Sequence, residues 1–310
     1  MQSSSPVLFL SRTALLPLVL ALGSLLQAQG PASCTFTTFQ LDTPTSRTST
    51  SLGGINDFRT LVGSRFLGGG NVKGLIRFSA GTGFTLVTVP NGGDTRFTDR
   101  NNNGVSTGYY FNLSSRRLEG FVLGGDQFVS VSRSNSPTFL NGINKWESSV
   151  GEYAFGPYPR FHGFKRYSNG GFLAIDYPGA MGTSAAAIND NGTIVGSYFV
   201  PSQQDPFYTQ HGFIYGNGQW ATLDFPDKNV GTSPVGISND GTIIGNTITF
   251  KDGIQTDQSA FFYKAGVFKT ISVPNQPLTE VTGISPKLDL IAGLALDFSG
   301  ATEGFIATCH

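Results

Sequence analysis

The sequence predicts an all-β fold: a six-bladed β-propeller of four-stranded blades, closed by pairing its N-terminal strand with the C-terminal blade. Three observations carry that expectation. One motif recurs six times, each copy divides into four short strand-like segments, and the two chain ends each supply part of one incomplete copy. The clearest copy runs from His211-Gly212-Phe213 through Trp220-Ala221-Thr222-Leu223-Asp224-Phe225-Pro226 to Gly236-Ile237-Ser238-Asn239-Asp240-Gly241-Thr242-Ile243-Ile244-Gly245. The last glycines of the six copies are Gly63, Gly108, Gly151, Gly196, Gly245 and Gly293, at spacings of 45, 43, 45, 49 and 48 residues. A period of about forty-five with strand chemistry is the pattern of propeller blades.

The chain opens on a segment that reads as a signal peptide, residues 1–30, ahead of a single domain spanning 31–310. Arg12 is its only charge before the apolar stretch Thr13 to Leu26, and the small residues Ala28, Gly30 and Ala32 place cleavage at about 28–32. Fourteen residues are too few to span a bilayer, and no later stretch reads as a transmembrane segment. The expected location is therefore secreted, periplasmic or cell-surface.

Each repeat then presents four segments in order. The first holds a Gly-Phe pair, at Gly120-Phe121, Gly163-Phe164, Gly212-Phe213 and Gly304-Phe305, with relaxed copies at Gly74-Leu75 and Ala260-Phe261. The second starts on an aromatic residue and alternates, as in Phe172-Leu173-Ala174-Ile175-Asp176-Tyr177, which sends one set of side chains between sheets and the other outward. The third ends in Gly-Ile-Asn or a variant, at Ile55-Asn56, Ile143-Asn144, Ile188-Asn189, Ile237-Ser238 and Ile284-Ser285, and the small run Ser184-Ala185-Ala186-Ala187 suits the crowded axis. The fourth is the Thr-Ile-Val-Gly strand, entered through Asn-Asp-Asn-Gly or Asn-Asp-Gly turns that accept positive φ.

The chain ends decide how the ring closes. The C-terminus stops after a first segment, Glu303 to Cys309, while Cys34 to Asp42 is a lone second segment, so three C-terminal strands and one N-terminal strand make the closing blade. Aligned on the copy from Gly212 to Leu223, Cys309 falls at Asn217 and Cys34 at Gly216, in the hairpin turn the other blades make covalently. A Cys34–Cys309 disulfide is the expected substitute for that turn, as export to an oxidising compartment allows. The rival reading is a lipoprotein, since Ala32-Ser33-Cys34 is like the end of a lipid-attachment box, but Pro31 stands where a leucine-like residue is needed.

This pattern resembles the bacterial extracellular repeats of the HAF family, whose triplet stands here as His162-Gly163-Phe164 and His211-Gly212-Phe213. The similarity continues through Ile175-Asp176-Tyr177-Pro178-Gly179-Ala180 and Ala187-Ile188-Asn189-Asp190-Asn191-Gly192-Thr193-Ile194-Val195-Gly196, and is loosest in the first two copies. The resemblance implies a secreted repeat protein; it brings no reaction and no catalytic residues with it.

Candidate chemistry is sparse. Twenty basic and twenty acidic residues cancel, and without a basic run nucleic acid is excluded as a partner. His162 and His211 share one repeat position held elsewhere by Lys73, Glu119, Ser259 and Glu303, which suits a strand-tying role better than catalysis; His310 is terminal. Asp99, Asn101 and Asn103 follow the first half of a calcium loop, but Tyr110 replaces its bidentate acid, so a hairpin turn competes with Ca²⁺ as the explanation and no other cofactor is expected. Asp190-Asn191-Gly192-Thr193 is like part of an aspartate box without its aromatic anchor. Asp42, Asp176 and Asp224 read as repeat-equivalent outer-strand residues spread around the rim, unlike the two converging carboxylates a glycosidase needs.

What remains is a face. Loops between the fourth segment of one repeat and the Gly-Phe segment of the next carry Tyr109, Tyr110, Phe111, Tyr153, Phe155, Tyr158, Phe161, Phe199, Phe207 and Tyr208; such rings suit a glycan, peptide or protein ligand, with Tyr109, Tyr110, Tyr153, Tyr158, Phe207 and Tyr208 as the candidate contacts, or else fold over the blade edges as core. The expected function is non-catalytic binding or scaffolding at the cell exterior. The alternatives are a carbohydrate-active hydrolase or lyase with carboxylates near the channel, and a purely structural surface or matrix component; oligomeric state is not legible.

Overall fold

A computed structural model of the 310-residue chain describes residues 28–42, 49–78, 83–156, 160–202, 208–227, 229–251, 254–287, 289–296 and 302–309. Residues 1–27 of the expected signal peptide, Tyr158, Phe207 and His310 lie outside the described residues. The chain forms six antiparallel four-stranded sheets arranged as the blades of a ring, with no helix among the described residues. From the axis outward, blade 1 is Ser49–Ile55, Leu61–Phe66, Val72–Arg77 and Thr85–Val87, and blade 2 is Gly92–Arg100, Ser106–Asn112, Arg117–Gly124 and Gln127–Val131. Blade 3 is Thr138–Ile143, Ser149–Ala154, Phe161–Arg166 and Phe172–Ala174; blade 4 is Gly182–Ile188, Ile194–Val200, Thr209–Gly216 and Gln219–Leu223. Blade 5 is Gly231–Ile237, Ile243–Lys251, Ile254–Lys264 and Val267–Ile271, and blade 6 is Leu278–Ile284, Leu290–Leu296, Thr302–Cys309 and Cys34–Asp42.

The conserved spacing of Gly-Phe and the later glycine has a packing cause. Across the two middle strands of a blade, Gly108 faces Phe121, Gly151 faces Phe164, Gly196 faces Phe213, Gly245 faces Phe261 and Gly293 faces Phe305. The five phenylalanines are fully buried. A Cβ at Gly293 would lie 2.2 Å from the Phe305 ring, so the ring occupies the space a side chain would need and both residue types are fixed together.

The Gly-Ile-Asn segment explains how blades hold one another. Each inner strand carries an extra residue just before this segment, a bulge that turns Thr98, Asn141 and Thr282 toward the next blade. Thr98 Oγ1 donates to the Leu140 carbonyl at 2.7 Å, Asn141 Nδ2 to the Ala185 carbonyl at 3.1 Å, and Thr282 Oγ1 to the Gly53 carbonyl at 2.8 Å. The buried asparagines then form a ladder: the amides of Asn56, Asn101, Asn144 and Asn189 donate to the carbonyls of Asn101, Asn144, Asn189 and Ser238 at 3.3, 2.9, 3.1 and 3.0 Å. The carbonyl oxygen of each caps its own turn, as Asn144 Oδ1 accepts from the Trp146 and Ser148 amides. One side chain thus satisfies a hairpin and a blade junction at once. Serine at 238 and 285 ends the ladder, and Asn246 takes over by exchanging two bonds with the backbone of Val281 at 2.9 and 3.1 Å.

Closure is as expected: the N-terminal strand is the outermost of blade 6, and Cys34 is disulfide-bonded to Cys309 across a sequence separation of 275 residues. In the chain-entropy picture a loop of that length contributes about 5 kcal/mol. Two details differ from the sequence alignment. Cys34 stands directly opposite Cys309 and Phe39 opposite Gly304, so Gln40, opposite Glu303, holds the position of Asp176 and Asp224, and Asp42 is displaced along the strand. No hairpin fixes the register in this blade, because its strands come from opposite chain ends. The ring also gains a twenty-fifth strand: Ala28–Pro31 runs parallel to Val267–Ile271 on the outer edge of blade 5 before the chain enters blade 6.

Candidate functional site

The blade-to-blade crossings and the loops between the second and third strands share one face, and there a cleft opens between blades 3 and 4. Its residues are placed by the repeat. Thr183, buried at the head of an inner strand, accepts the Tyr177 amide on its hydroxyl at 2.9 Å, and Thr232 does the same for Phe225 at 2.8 Å, so each crossing leaves its blade at a fixed angle. The Tyr177-Pro178-Gly179-Ala180 turn follows, with Gly179 at φ 78° and the Ala180 amide donating to the Tyr177 carbonyl at 3.1 Å.

The histidines and the outer-strand aspartates, separate in the sequence, meet here. His162 Nδ1 lies 3.0 Å from Asp176 Oδ2, whose other oxygen accepts the Gly163 amide at 3.1 Å. Blade 4 repeats the arrangement, with His211 Nδ1 2.9 Å from Asp224 Oδ2 and the Gly212 amide 3.3 Å from Oδ1. Asp224 holds the His211 pKa above the usual imidazole value, chiefly through this hydrogen bond. Rings stack on both imidazoles. Phe155 lies on His162 with centroids 4.1 Å apart and Tyr153 flanks it at 5.2 Å, whereas His211 stacks on Tyr198 at 5.1 Å. Tyr198 in turn stacks flat on Tyr177 at 3.7 Å, and burial pushes its phenol up to about 12.

The cleft has a volume of about 310 Å³ and is lined by Phe155, Phe161, His162, Asp176, Tyr177 and the turn that follows to Thr183. The central channel is far tighter. Its cavity of about 40 Å³ is walled by the inner strands of all six blades and has room for a few waters only. Asp99, which shares that lining with a second acid, Asp190, stands where blades 1, 3, 4, 5 and 6 carry Gly54, Gly142, Ala187, Gly236 and Gly283. Burial raises its pKa to about 6 against the opposing hydrogen bonds from Ile143 and Arg100.

Several expectations are corrected. Asp99, Asn101 and Asn103 do not converge on a cation: Asp99 accepts the Ile143 and Arg100 amides at 2.9 and 2.8 Å, Asn101 Oδ1 accepts the Asn103 and Val105 amides at 3.0 Å each, and Asn103 Nδ2 donates to the Lys145 carbonyl at 3.0 Å. Turn capping and blade joining consume these oxygens, and among the described residues no group of three or more His, Cys, Asp or Glu is placed to hold a metal. Tyr110 is not on the aromatic face but inside blade 2, 2% exposed, its hydroxyl shared among Glu119, Ser130 and Asn112. Tyr109 packs edge-on against Phe139 of blade 3, and Tyr208 edge-on against the buried Phe199. Of the expected rings among the described residues, Phe155 and Phe161 line the cleft and Tyr153 stands behind His162. Sequence reasoning missed Tyr198, whose place opposite His211 required the strand register.

These features define a class: a disulfide-closed, six-bladed β-propeller with an aromatic histidine–aspartate cleft on the face of its blade crossings. No family model matches the chain, and no curated protein matches it in sequence. Among solved structures, the putative TolB from Agrobacterium tumefaciens is similar over 91% of this chain and 99% of its own length, with a TM-score of 0.57 at 10% identity, which establishes the propeller fold. The fungal lectin from Aleuria aurantia, a six-bladed propeller with fucose recognition, is similar over 84% of this chain and 91% of its own, with a TM-score of 0.49 at 13% identity.

Proposed function

We propose that this chain is an exported, non-catalytic binding propeller of the HAF-repeat kind, engaging a glycan, peptide or protein at the cell exterior through the cleft between blades 3 and 4. The observation that carries the reading is the contrast between that cleft, about 310 Å³ and lined by rings with one histidine and one aspartate, and a channel of about 40 Å³. Ligand pockets begin at about 300 Å³. Among the described residues that line the cleft there is a single carboxylate, and the Asp224 pair belongs to the next blade, so these residues do not gather the paired acids of glycoside cleavage. The Cys34–Cys309 disulfide supports an oxidising compartment.

The test is to express the full chain in a bacterial host, map its cysteines and location, and pass extracellular polysaccharide and protein fractions over the immobilised protein. Recovery outside the cytoplasm with Cys34 linked to Cys309, and retention of one fraction that Phe155→Ala reduces, is the expected result. Release of new reducing or unsaturated sugar ends would overturn the non-catalytic reading, and free thiols in a cytoplasmic protein would overturn export.

A further inference from the structure

We propose that the cleft between blades 3 and 4 is a subsite for a neutral sugar ring and rejects anionic ones; this rests on the binding role proposed above. Its platform is Phe155. The ring is 46% exposed and spends one face on the His162 imidazole at 4.1 Å and 25°, leaving the other face for the C–H surface of a ligand. Beside it stand acceptors. A neutral imidazole paired with Asp176 donates from Nδ1 and presents Nε2 as an acceptor, and a carboxylate has more lone pairs than the two donors, His162 and Gly163, consume. The side chains of His162 and Asp176 are 39% and 41% exposed, so these atoms are within reach of hydroxyl donors.

The same inventory says what the cleft refuses. Among the described residues that line it there is no Lys or Arg, so a uronate or sulfate ester would face the Asp176 carboxylate without a cation to pair it. A quaternary ammonium needs several ring faces around it, yet Tyr177 commits a face to Tyr198 at 3.7 Å and Phe155 commits one to His162. Polyhydroxy donors over the exposed face of Phe155 are what the arrangement accommodates. At about 310 Å³ the cleft takes a chain end or branch residue and not a long polymer segment. The equivalent position in blade 4 lacks the platform, because Val200 stands where blade 3 has Phe155. In the other blades Lys73, Glu119, Ser259 and Glu303 hold the histidine position, so among the described residues blade 3 alone joins the pair to a ring platform.

The experiment is calorimetric titration of the full chain with the methyl glycosides of glucose, galactose, mannose, fucose and N-acetylglucosamine, with methyl glucuronide and tetramethylammonium as opposing probes. The expected result is saturable binding of at least one neutral glycoside and none of glucuronide. Phe155→Ala and Asp176→Asn should each weaken it roughly tenfold with the thermal midpoint unchanged. Glucuronide binding as tightly as its neutral counterpart, displacement by tetramethylammonium, or neutral binding indifferent to both substitutions would overturn the subsite. Failure of every glycoside, together with Phe155-dependent retention of a protein or peptide, sinks the sugar inference and leaves the binding reading intact. With no Phe155-dependent ligand of any kind, both fall.

Discussion

Blades 2 and 3 are built from the same repeat, yet blade 2 has closed the positions that blade 3 leaves open. At the rim, Tyr110 opposite Glu119 in blade 2 corresponds to Tyr153 opposite His162 in blade 3. Glu119 is 8% exposed and receives Ser130, Ser115, Asn112 and Tyr110; burial pushes its pKa up, but these four donors outweigh it and hold the carboxylate below its usual value. His162 and Asp176 satisfy each other only partly and stay at the surface. At the axis the contrast repeats, since blade 2 has Asp99 where blade 3 has Gly142. A repeat position therefore becomes a site or a strut according to how many of its polar atoms the neighbours consume, and the motif does not record that number.

The largest expected effect is at the axis. Because the folded-state pKa of Asp99 is raised from 3.8 to about 6, the folded protein binds this proton more tightly than the unfolded chain, so its contribution is most favourable at low pH and is lost as pH rises through about 6. Asp99→Asn should remove that pH dependence; near pH 7.5 a gain of up to about 3 kcal/mol is reduced by about 1 to 2 kcal/mol because one of the Ile143 and Arg100 amides loses its acceptor. Denaturant titrations of both proteins from pH 4 to 7.5 check this, and parallel curves would mean that blade 2 pays nothing for its acid. Glu119→Ala comes next. It strands four donors in the rim of blade 2 and should cost about 2 kcal/mol, whereas His162→Ala in blade 3 should cost under about 1 kcal/mol. Equal losses would erase the distinction between strut and site.

A finer contrast lies in the two tyrosines. Tyr110→Phe removes a buried hydroxyl with three partners and should cost about 1 kcal/mol, while Tyr153→Phe should be neutral, both read from thermal midpoints. The smallest effect is in the inner hairpins, where blade 2 places Gly104 at φ 81° and blade 3 places Glu147 at φ 58°. Gly104→Ala should destabilise by about 1 kcal/mol, and Glu147→Gly should be neutral or stabilise by less than about 1 kcal/mol. A loss on Glu147→Gly would show that its side chain, and not the turn, matters in blade 3.

The motif letters made sense because each is a local rule repeated from blade to blade. Glycine opposite phenylalanine, asparagine before a turn, and two half-blades at the chain ends are visible in one dimension, since strand period and turn chemistry depend on near neighbours. The binding residues were legible only as ingredients. His162 and Asp176 were both singled out, but the outer strand had been read as separate from the histidine position, and Tyr110 was placed with the exposed rings because its partners Glu119 and Ser130 come from other strands. Asp42 was misplaced because its strand has no hairpin to carry register from its partner.

By itself, then, the sequence determined the blade number, the four-strand unit, the closing blade and the cysteine pair, because periodicity and chain-end complementarity leave one way to bury every sheet edge but the rim. Tertiary structure alone decided that Asn56, Asn101, Asn144 and Asn189 link consecutive blades, that Asp99 is desolvated at the axis, and that a cleft opens beside Phe155. Those outcomes depend on atoms brought together from adjacent blades some forty-five residues apart in sequence. Hydrogen-bond satisfaction and desolvation are properties of that assembled environment, not of any segment within it.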